Sequence, residues 1–145
     1  MAMTEMTKQA MVKAGASLAG KGPVQMVNLL RYREQADYGH GSAFPLCSGR
    51  KAYFQRYVPA FAQVAATVAP GEAFMPVYIG NVAATVVGAE GEAWDDIASL
   101  EYPSFKALKK ITDSPEYEAE AAPHRRAALA DWRFIAALKA QLPES

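Results

Sequence analysis

The sequence contains few of the residues from which disulfides and metal centres are built. Among 145 residues there are one cysteine, Cys47, and two histidines, His40 and His124. A single cysteine forms no disulfide within the chain, which fits a reducing compartment. The histidines are far apart in the sequence, and no short motif such as H-E-x-x-H or C-x-x-C occurs. We therefore predict no bound metal, no cofactor and a cytoplasmic location.

The sequence also lacks an excess of charge and a long hydrophobic run. Fifteen lysines and arginines balance fifteen aspartates and glutamates, so the formal net charge is zero. A neutral chain lacks the positive surface on which nonspecific nucleic-acid binding depends. No run approaches the ~20 apolar residues that a membrane-spanning helix needs. We predict neither a nucleic-acid partner nor a membrane partner. The nucleophile motif G-x-S-x-G and a phosphate-binding glycine loop are absent as well.

The sequence is nevertheless rich enough in apolar residues to fold as one domain. Hydrophobic residues make up 51% of the chain and charged residues 21%, which is ordinary for a globular protein. The pattern divides it into an N-terminal helical extension at residues 1–22, a folded domain at 23–137 and a C-terminal tail at 138–145.

Hydrophobic periodicity within the domain predicts the order β-α-β-β-α-β. Predicted strands cover residues 24–32, 74–87, 94–102 and 128–136. One predicted amphipathic helix follows Ser48 and ends at Pro70, with a bend expected at Pro59 because proline lacks an N–H. A second helical region follows Ser104 and is interrupted by Pro123. This order is typical of an α+β, ferredoxin-like antiparallel sheet with helices on one face.

Strand 24–32 carries apolar residues on both of its sides. This pattern predicts that both faces of the sheet are covered. Two helices cover only one face of four strands. An apolar face left uncovered marks an interaction surface, and a second copy of the chain is the simplest occupant. We predict a homodimer joined through the sheet faces.

Several short motifs, taken in order, resemble the domain-of-unknown-function 1330 family, which belongs to the dimeric α/β-barrel proteins. They are Val27–Tyr32, Gly49–Tyr53, Arg56-Tyr57, Trp94-Asp95, Tyr102–Ser104, Pro115–Tyr117 and His124–Asp131. The resemblance covers roughly residues 23–137. It implies the same ferredoxin-like dimer and a pocket in each subunit between sheet and helices, but no particular reaction, because the fold hosts many chemistries.

The family motifs fall on six candidate pocket residues: Asn28, Tyr57, Trp94, Tyr102, His124 and Arg125. If the pocket is catalytic, His124 moves a proton, Arg125 holds a carboxylate or enolate, and Asn28 donates a hydrogen bond. Tyr57, Trp94 and Tyr102 are the candidate ligand-binding aromatics. Each has a structural alternative: Asn28 bonding a neighbouring segment, the aromatics packing the core, and the basic pair ending a helix in solvent.

Three functions remain open from the sequence. The first is binding of a small acidic or phenolic organic molecule in this pocket, with isomerase-like or monooxygenase-like chemistry that needs no cofactor. The second is a non-catalytic ligand-binding or sensing module using the same pocket. The third is a haem-handling protein with His124 as axial ligand.

Overall fold

A four-stranded antiparallel sheet forms the base of the molecule. The computed structural model describes residues 2–144. The strands are β1 (Val24–Tyr32), β2 (Met75–Asn81), β3 (Asp96–Tyr102) and β4 (Leu129–Ala137). Their order across the sheet is β2-β3-β1-β4, and every neighbouring pair is antiparallel. The predicted α+β class with an antiparallel sheet is confirmed.

Five α-helices accompany the sheet in the described part of the chain. They are α1 (Lys8–Leu18), α2 (Gly49–Ala52), α3 (Val58–Val68), α4 (Phe105–Thr112) and α5 (Ala122–Ala128). Serines at the predicted positions cap two of them: Ser48 Oγ accepts from the Lys51 N–H, and Ser104 Oγ accepts from the Ala107 N–H, each at 3.1 Å. None of the helices in residues 2–144 is long and apolar enough to cross a membrane.

Each proline that interrupts a helix follows a π-helical turn. The first turn, Tyr53–Tyr57, joins α2 to α3 ahead of Pro59, and the second, Tyr117–Ala121, leads into α5 ahead of Pro123. In both, the residue before the proline donates its N–H to a carbonyl five residues back. The wider π-helical turn lets the helix continue past the proline, which has no N–H to donate. Both turns begin with a tyrosine, and both tyrosines are buried.

The two faces of the sheet have different surroundings. Val24, Met26, Asn28 and Leu30 of β1 are buried beneath the helices. The opposite face carries Val27, Leu29, Ile97, Tyr78 and Ile135, which are adjacent in the strand register. Tyr78 and Ile135 on that face are 62% and 51% exposed. A hydrophobic sheet face is therefore accessible on the side away from the helices.

The hairpin formed by β2 and β3 has a longer loop than the sequence pattern predicts. β2 ends at Asn81 and not at Val87, and β3 begins at Asp96 and not at Trp94. Asn81 pairs with Asp96, and beyond that pair the Val82 N–H donates to the Asp95 carbonyl at 2.8 Å. An extended segment is stable in a sheet only with a partner, and the residues opposite Val86 and Val87 belong to a glycine-containing turn. Those two valines are more than 90% exposed.

Candidate functional site

A cavity of about 150 Å³ lies between the sheet and the helices. All four strands contribute to its wall, as do the first π-helical turn, α3 and α4. Its lining is almost entirely apolar: Met6, Asn28, Tyr53, Phe54, Tyr57, Val58, Phe61, Phe74, Pro76, Ile79, Ala98, Leu100, Tyr102, Leu108, Thr112, Trp132 and Phe134. A dry apolar cavity of this size takes a molecule such as benzene. No carboxylate, imidazole, amine or thiol is among these lining groups.

Asn28 reaches the cavity from the centre of β1, and both ends of its amide form a hydrogen bond. Its Nδ2 donates to the Ala98 carbonyl at 3.1 Å, and its Oδ1 accepts from Trp132 Nε1 at 2.9 Å. The side chain is buried. Asn28 therefore orients Trp132 and ties β1 to β3, while its second oxygen lone pair is available to a ligand donor.

A buried chain of hydrogen bonds connects Arg125 to the cavity through two tyrosines. Arg125 Nη1 donates to Tyr117 Oη at 2.6 Å, and Tyr117 Oη lies 2.8 Å from Tyr57 Oη. In the described part of the chain Tyr117 Oη has no other hydrogen-bond partner. Each hydroxyl has one proton, and a buried proton without an acceptor costs free energy. Either hydroxyl can be the donor in this pair. In the arrangement in which Tyr117 donates to Tyr57, the Tyr57 proton is left for an acceptor in the cavity.

The tyrosines of the cavity are neutral phenols. Burial is the main cause that raises the pKa of Tyr57 well above its usual range, with the neighbouring Tyr117 and Tyr53 adding to the effect and Arg125 opposing it. Burial likewise raises the pKa of Tyr53 and Tyr102. All three hydroxyls keep their protons at physiological pH, so the cavity offers hydrogen-bond donors and no phenolate base.

Arg125 is a buried cation enclosed by aromatic rings. It is 2% exposed, and its guanidinium carbon lies 5.2 Å from the Trp132 ring centre and 5.8 Å from that of Tyr117. Burial opposes its charge, but Tyr117, Tyr57 and Glu5 outweigh this and raise the pKa of Arg125. Its Nη2 pairs with Glu5 Oε2 at 2.5 Å. Arg125 is thus a permanent positive charge one tyrosine behind the cavity wall.

His124 points to a different part of the molecule, although it is next to Arg125 in sequence. Its Nδ1 lies 2.7 Å from Tyr38 Oη, and its ring packs edge-on against Tyr38 and Phe44 of the 33–48 loop. Burial first, and the charge of Arg56 second, lower the pKa of His124. The structure therefore separates the His124 ring from the cavity, whose lining residues do not include it.

The position of His124 also bears on the haem hypothesis. The candidate axial ligand lies outside the cavity, and its Nδ1 already faces a tyrosine hydroxyl. A cavity of about 150 Å³ is far smaller than a porphyrin. A haem does not fit this arrangement. Within residues 2–144, no three His, Cys, Asp or Glu side chains are grouped so as to hold a metal ion.

Trp94 does not line the cavity either. It precedes β3 in the hairpin loop, its Nε1 donates to Glu92 at 3.0 Å, and the Arg133 guanidinium lies 5.2 Å from its ring. Arg133 belongs to the sheet face opposite the cavity, because it pairs with Leu29 in the register. The alternating pattern predicts Trp94 on the same side of the strand as Tyr102. The observed strand begins two residues later, at Asp96. Tyr102 itself lines the cavity and stacks on Phe74 at 5.5 Å.

The structure thus brings together Asn28, Tyr57 and Tyr102 around one cavity, with Arg125 behind it, and leaves out His124 and Trp94. It adds Tyr53, Tyr117 and Trp132, which sequence reasoning missed. A signal existed for Tyr53, because Tyr53, Tyr57 and Phe61 recur every four residues on one helical face. Tyr117 stands in one of the family-like motifs, but nothing local shows that it meets Tyr57.

Comparison with solved structures places the chain next to a bacterial protein of unknown function. Two crystal structures of RPA0582, one of them of the methylated protein, share 30% sequence identity with this chain at a TM-score of 0.76. The match covers 99% of this chain and 98% or 100% of those chains. One structure is described as a structural genomics target of unknown function from Rhodopseudomonas palustris.

A more distant match supports the fold alone. A dabb family protein with a ferredoxin-like fold from Mesorhizobium loti is 11% identical, with a TM-score of 0.51, over 83% of this chain and 99% of that one. No family model matches the chain, so its resemblance to the domain-of-unknown-function 1330 family stays a prediction. No curated protein matches it either.

Proposed function

Because the chain belongs to the same family as RPA0582, a Rhodopseudomonas palustris protein of unknown function, we propose its function from the cavity itself. Each subunit binds a small organic molecule that carries an aromatic or similarly apolar body and an oxygen acceptor. The single observation that carries this proposal is the Arg125–Tyr117–Tyr57 chain, which delivers one polarised O–H to an otherwise apolar cavity.

The ligand class follows from the size and polarity of this cavity. About 150 Å³ suits one ring, and apolar walls with few polar groups are typical of small-molecule sites. The Tyr57 hydroxyl is a donor, so it selects a phenol, carbonyl or carboxylate oxygen. The second lone pair of Asn28 Oδ1 can accept a hydrogen bond from a phenolic O–H. A phenolic ligand therefore satisfies both polar groups at once.

The same lining favours binding over acid–base catalysis. Proton transfer at neutral pH needs a group that titrates nearby, and histidine is the commonest. His124 faces the 33–48 loop, and the tyrosines keep their protons. We therefore favour the ligand-binding or sensing module over isomerase-like or monooxygenase-like chemistry.

Phenol is the simplest probe of this proposal. We expect saturable binding of one phenol per chain in a titration followed by NMR, and toluene is expected to compete because its ring fills the same apolar space. A failure of phenol to saturate, or binding that toluene does not compete with, would count against the cavity as the ligand site.

We also propose that the chain dimerises through the open sheet face. Leu29, Val27, Ile97, Tyr78 and Ile135 form an apolar patch on it, and such patches mark interfaces. The same face carries both cations and acids, among them Arg133 and Glu101, so a two-fold axis that brings opposite charges together is available to it. A dimeric assembly is also what the resemblance of the motifs implies.

Sedimentation of an Ile135→Lys variant tests this interface. The wild-type chain is expected to sediment as a dimer at micromolar concentration and the variant as a monomer, because a buried lysine facing its copy repels it. Leu142→Lys, at an exposed position of the C-terminal tail, is the control and stays dimeric. A wild-type monomer, or a dimer in both variants, contradicts the proposal.

A further inference from the structure

Met6 separates the cavity from a second, charged depression. A groove of about 530 Å³ is lined by Glu5, Arg125, Arg126 and Tyr117 among others. Met6 and Thr112 line both this groove and the apolar cavity. Their side chains are therefore the partition between the two spaces. Removal of the Met6 side chain joins the apolar pocket to a groove lined by both basic and acidic side chains.

Met6 belongs to a short N-terminal strap, residues 3–6, which precedes α1. The Met3 N–H donates to Asp131 Oδ1 at 2.8 Å. Glu5 Oε2 pairs with Arg125 Nη2 at 2.5 Å, and Glu5 Oε1 pairs with Arg126 Nε at 2.6 Å. Glu5 is itself 48% exposed. The strap is thus held by one backbone hydrogen bond and by one carboxylate that reaches in from solvent.

Arg125 has more hydrogen-bonding capacity than the strap uses. Its Nε is buried and has no hydrogen-bond partner among the described residues. Glu5 contacts Arg125 through a single oxygen, since its second oxygen goes to Arg126. A carboxylate that approaches the guanidinium side-on forms two parallel hydrogen bonds, the stronger and more specific geometry. An incoming carboxylate can therefore form more hydrogen bonds to Arg125 than Glu5 does.

We propose that the ligand is a carboxylate with an apolar body, and that it displaces the strap. Its apolar body, which can carry the oxygen acceptor that Tyr57 binds, occupies the cavity. Its carboxylate replaces that of Glu5 on Arg125, and Met6 moves away from between the two spaces. Glu5 is then an internal competitor that keeps Arg125 neutralised while the site is empty. This inference rests on the cavity being the ligand site, and it adds the class of ligand and the means by which the site opens.

A matched pair of probes and a matched pair of variants test the inference. The probes are 3-phenylpropionate and 3-phenylpropan-1-ol, which differ in the carboxylate. The variants are Glu5→Gln and Glu118→Gln; Glu118 pairs with Arg126 at 2.7 Å but lies outside the strap. Because Glu5 is half exposed, we expect Glu5→Gln to fold normally, which its thermal midpoint checks.

We expect Glu5→Gln to raise the affinity for 3-phenylpropionate about fivefold and to leave that for the alcohol within twofold. Glu118→Gln is expected to change the propionate affinity less than Glu5→Gln does. The Met6 methyl resonance, at the cavity wall, is expected to shift further on binding of 3-phenylpropionate than on binding of phenol, because only the propionate displaces Met6. If wild type and Glu5→Gln bind 3-phenylpropionate equally while phenol still binds, the proposal that Glu5 competes with the ligand for Arg125 is wrong. If phenol does not bind either, the proposal that the cavity is the ligand site is wrong as well.

Discussion

Replacing Gly49 by alanine is expected to lower the free energy of unfolding by about 3 kcal/mol. Gly49 sits where three elements meet: its N–H donates to the Arg33 carbonyl at 3.0 Å, and the Arg33 N–H donates to the Ala128 carbonyl at 2.8 Å. A Cβ at Gly49 would lie 2.5 Å from the Ala128 oxygen and nearer still to the Arg33 oxygen. Both obstacles are backbone atoms, so the strand end and α5 have to separate.

Chemical denaturation of Gly49→Ala and Gly15→Ala separates crowding from a general effect of removing glycine. Gly15 lies within α1, and a Cβ there meets nothing closer than 3.9 Å. Alanine in a helix is favoured over glycine by roughly 0.5–1 kcal/mol, so Gly15→Ala is expected to be neutral or stabilising. A Gly49→Ala variant as stable as wild type would show that the junction of β1, α2 and α5 has room for a Cβ.

Replacing Tyr57 by phenylalanine is expected to weaken phenol binding about tenfold. The change keeps the ring that lines the cavity and removes the one O–H that the Arg125–Tyr117 chain directs at a ligand. A hydrogen bond of this kind contributes about 1–2 kcal/mol, and ~1.4 kcal/mol is a factor of ten in the dissociation constant. Isothermal titration or NMR titration measures the change.

Tyr53→Phe and toluene are the controls for this prediction. Tyr53 lines the same cavity, but no hydrogen bond joins its hydroxyl to the Arg125 chain. Tyr53→Phe is expected to change phenol affinity by less than threefold, and toluene affinity is expected to be the same in all three proteins. Equal losses from Tyr53→Phe and Tyr57→Phe would mean that Arg125 does not polarise the Tyr57 hydroxyl.

The sequence predicted most of the sheet because strand periodicity is local. The predicted bounds of β1 are the observed ones, and those of β4 differ from the observed bounds by one residue. The pattern extends the β2–β3 hairpin too far, because alternation shows that a segment suits a strand and not whether a partner strand faces it. Val86 and Val87 satisfy the pattern, yet glycines and acidic residues stand where their pairing partners are needed.

A site residue is predictable from the sequence only where the side on which it lies in its own strand or helix determines whether it faces the cavity. Asn28, Tyr57 and Tyr102 line the cavity because each lies on the inward side of its strand or helix. The sequence pattern groups His124 with Arg125 because they are neighbours, but consecutive helical residues point roughly 100° apart. Arg125 therefore turns inward and His124 turns to the loop. The pairing of Glu5 with Arg125 spans 120 residues, and no local pattern carries such a contact.

The cavity's role as a ligand site is tested most directly by intermolecular NOEs between phenol and the protein. The structure predicts NOEs from the phenol ring protons to Tyr57, Phe61 and Trp132, which line the cavity. The same NOEs are expected to vanish in Ala98→Leu, whose larger side chain fills that space. NOEs confined to surface residues of the 33–48 loop or of the open sheet face, or NOEs that persist unchanged in Ala98→Leu, would contradict the account.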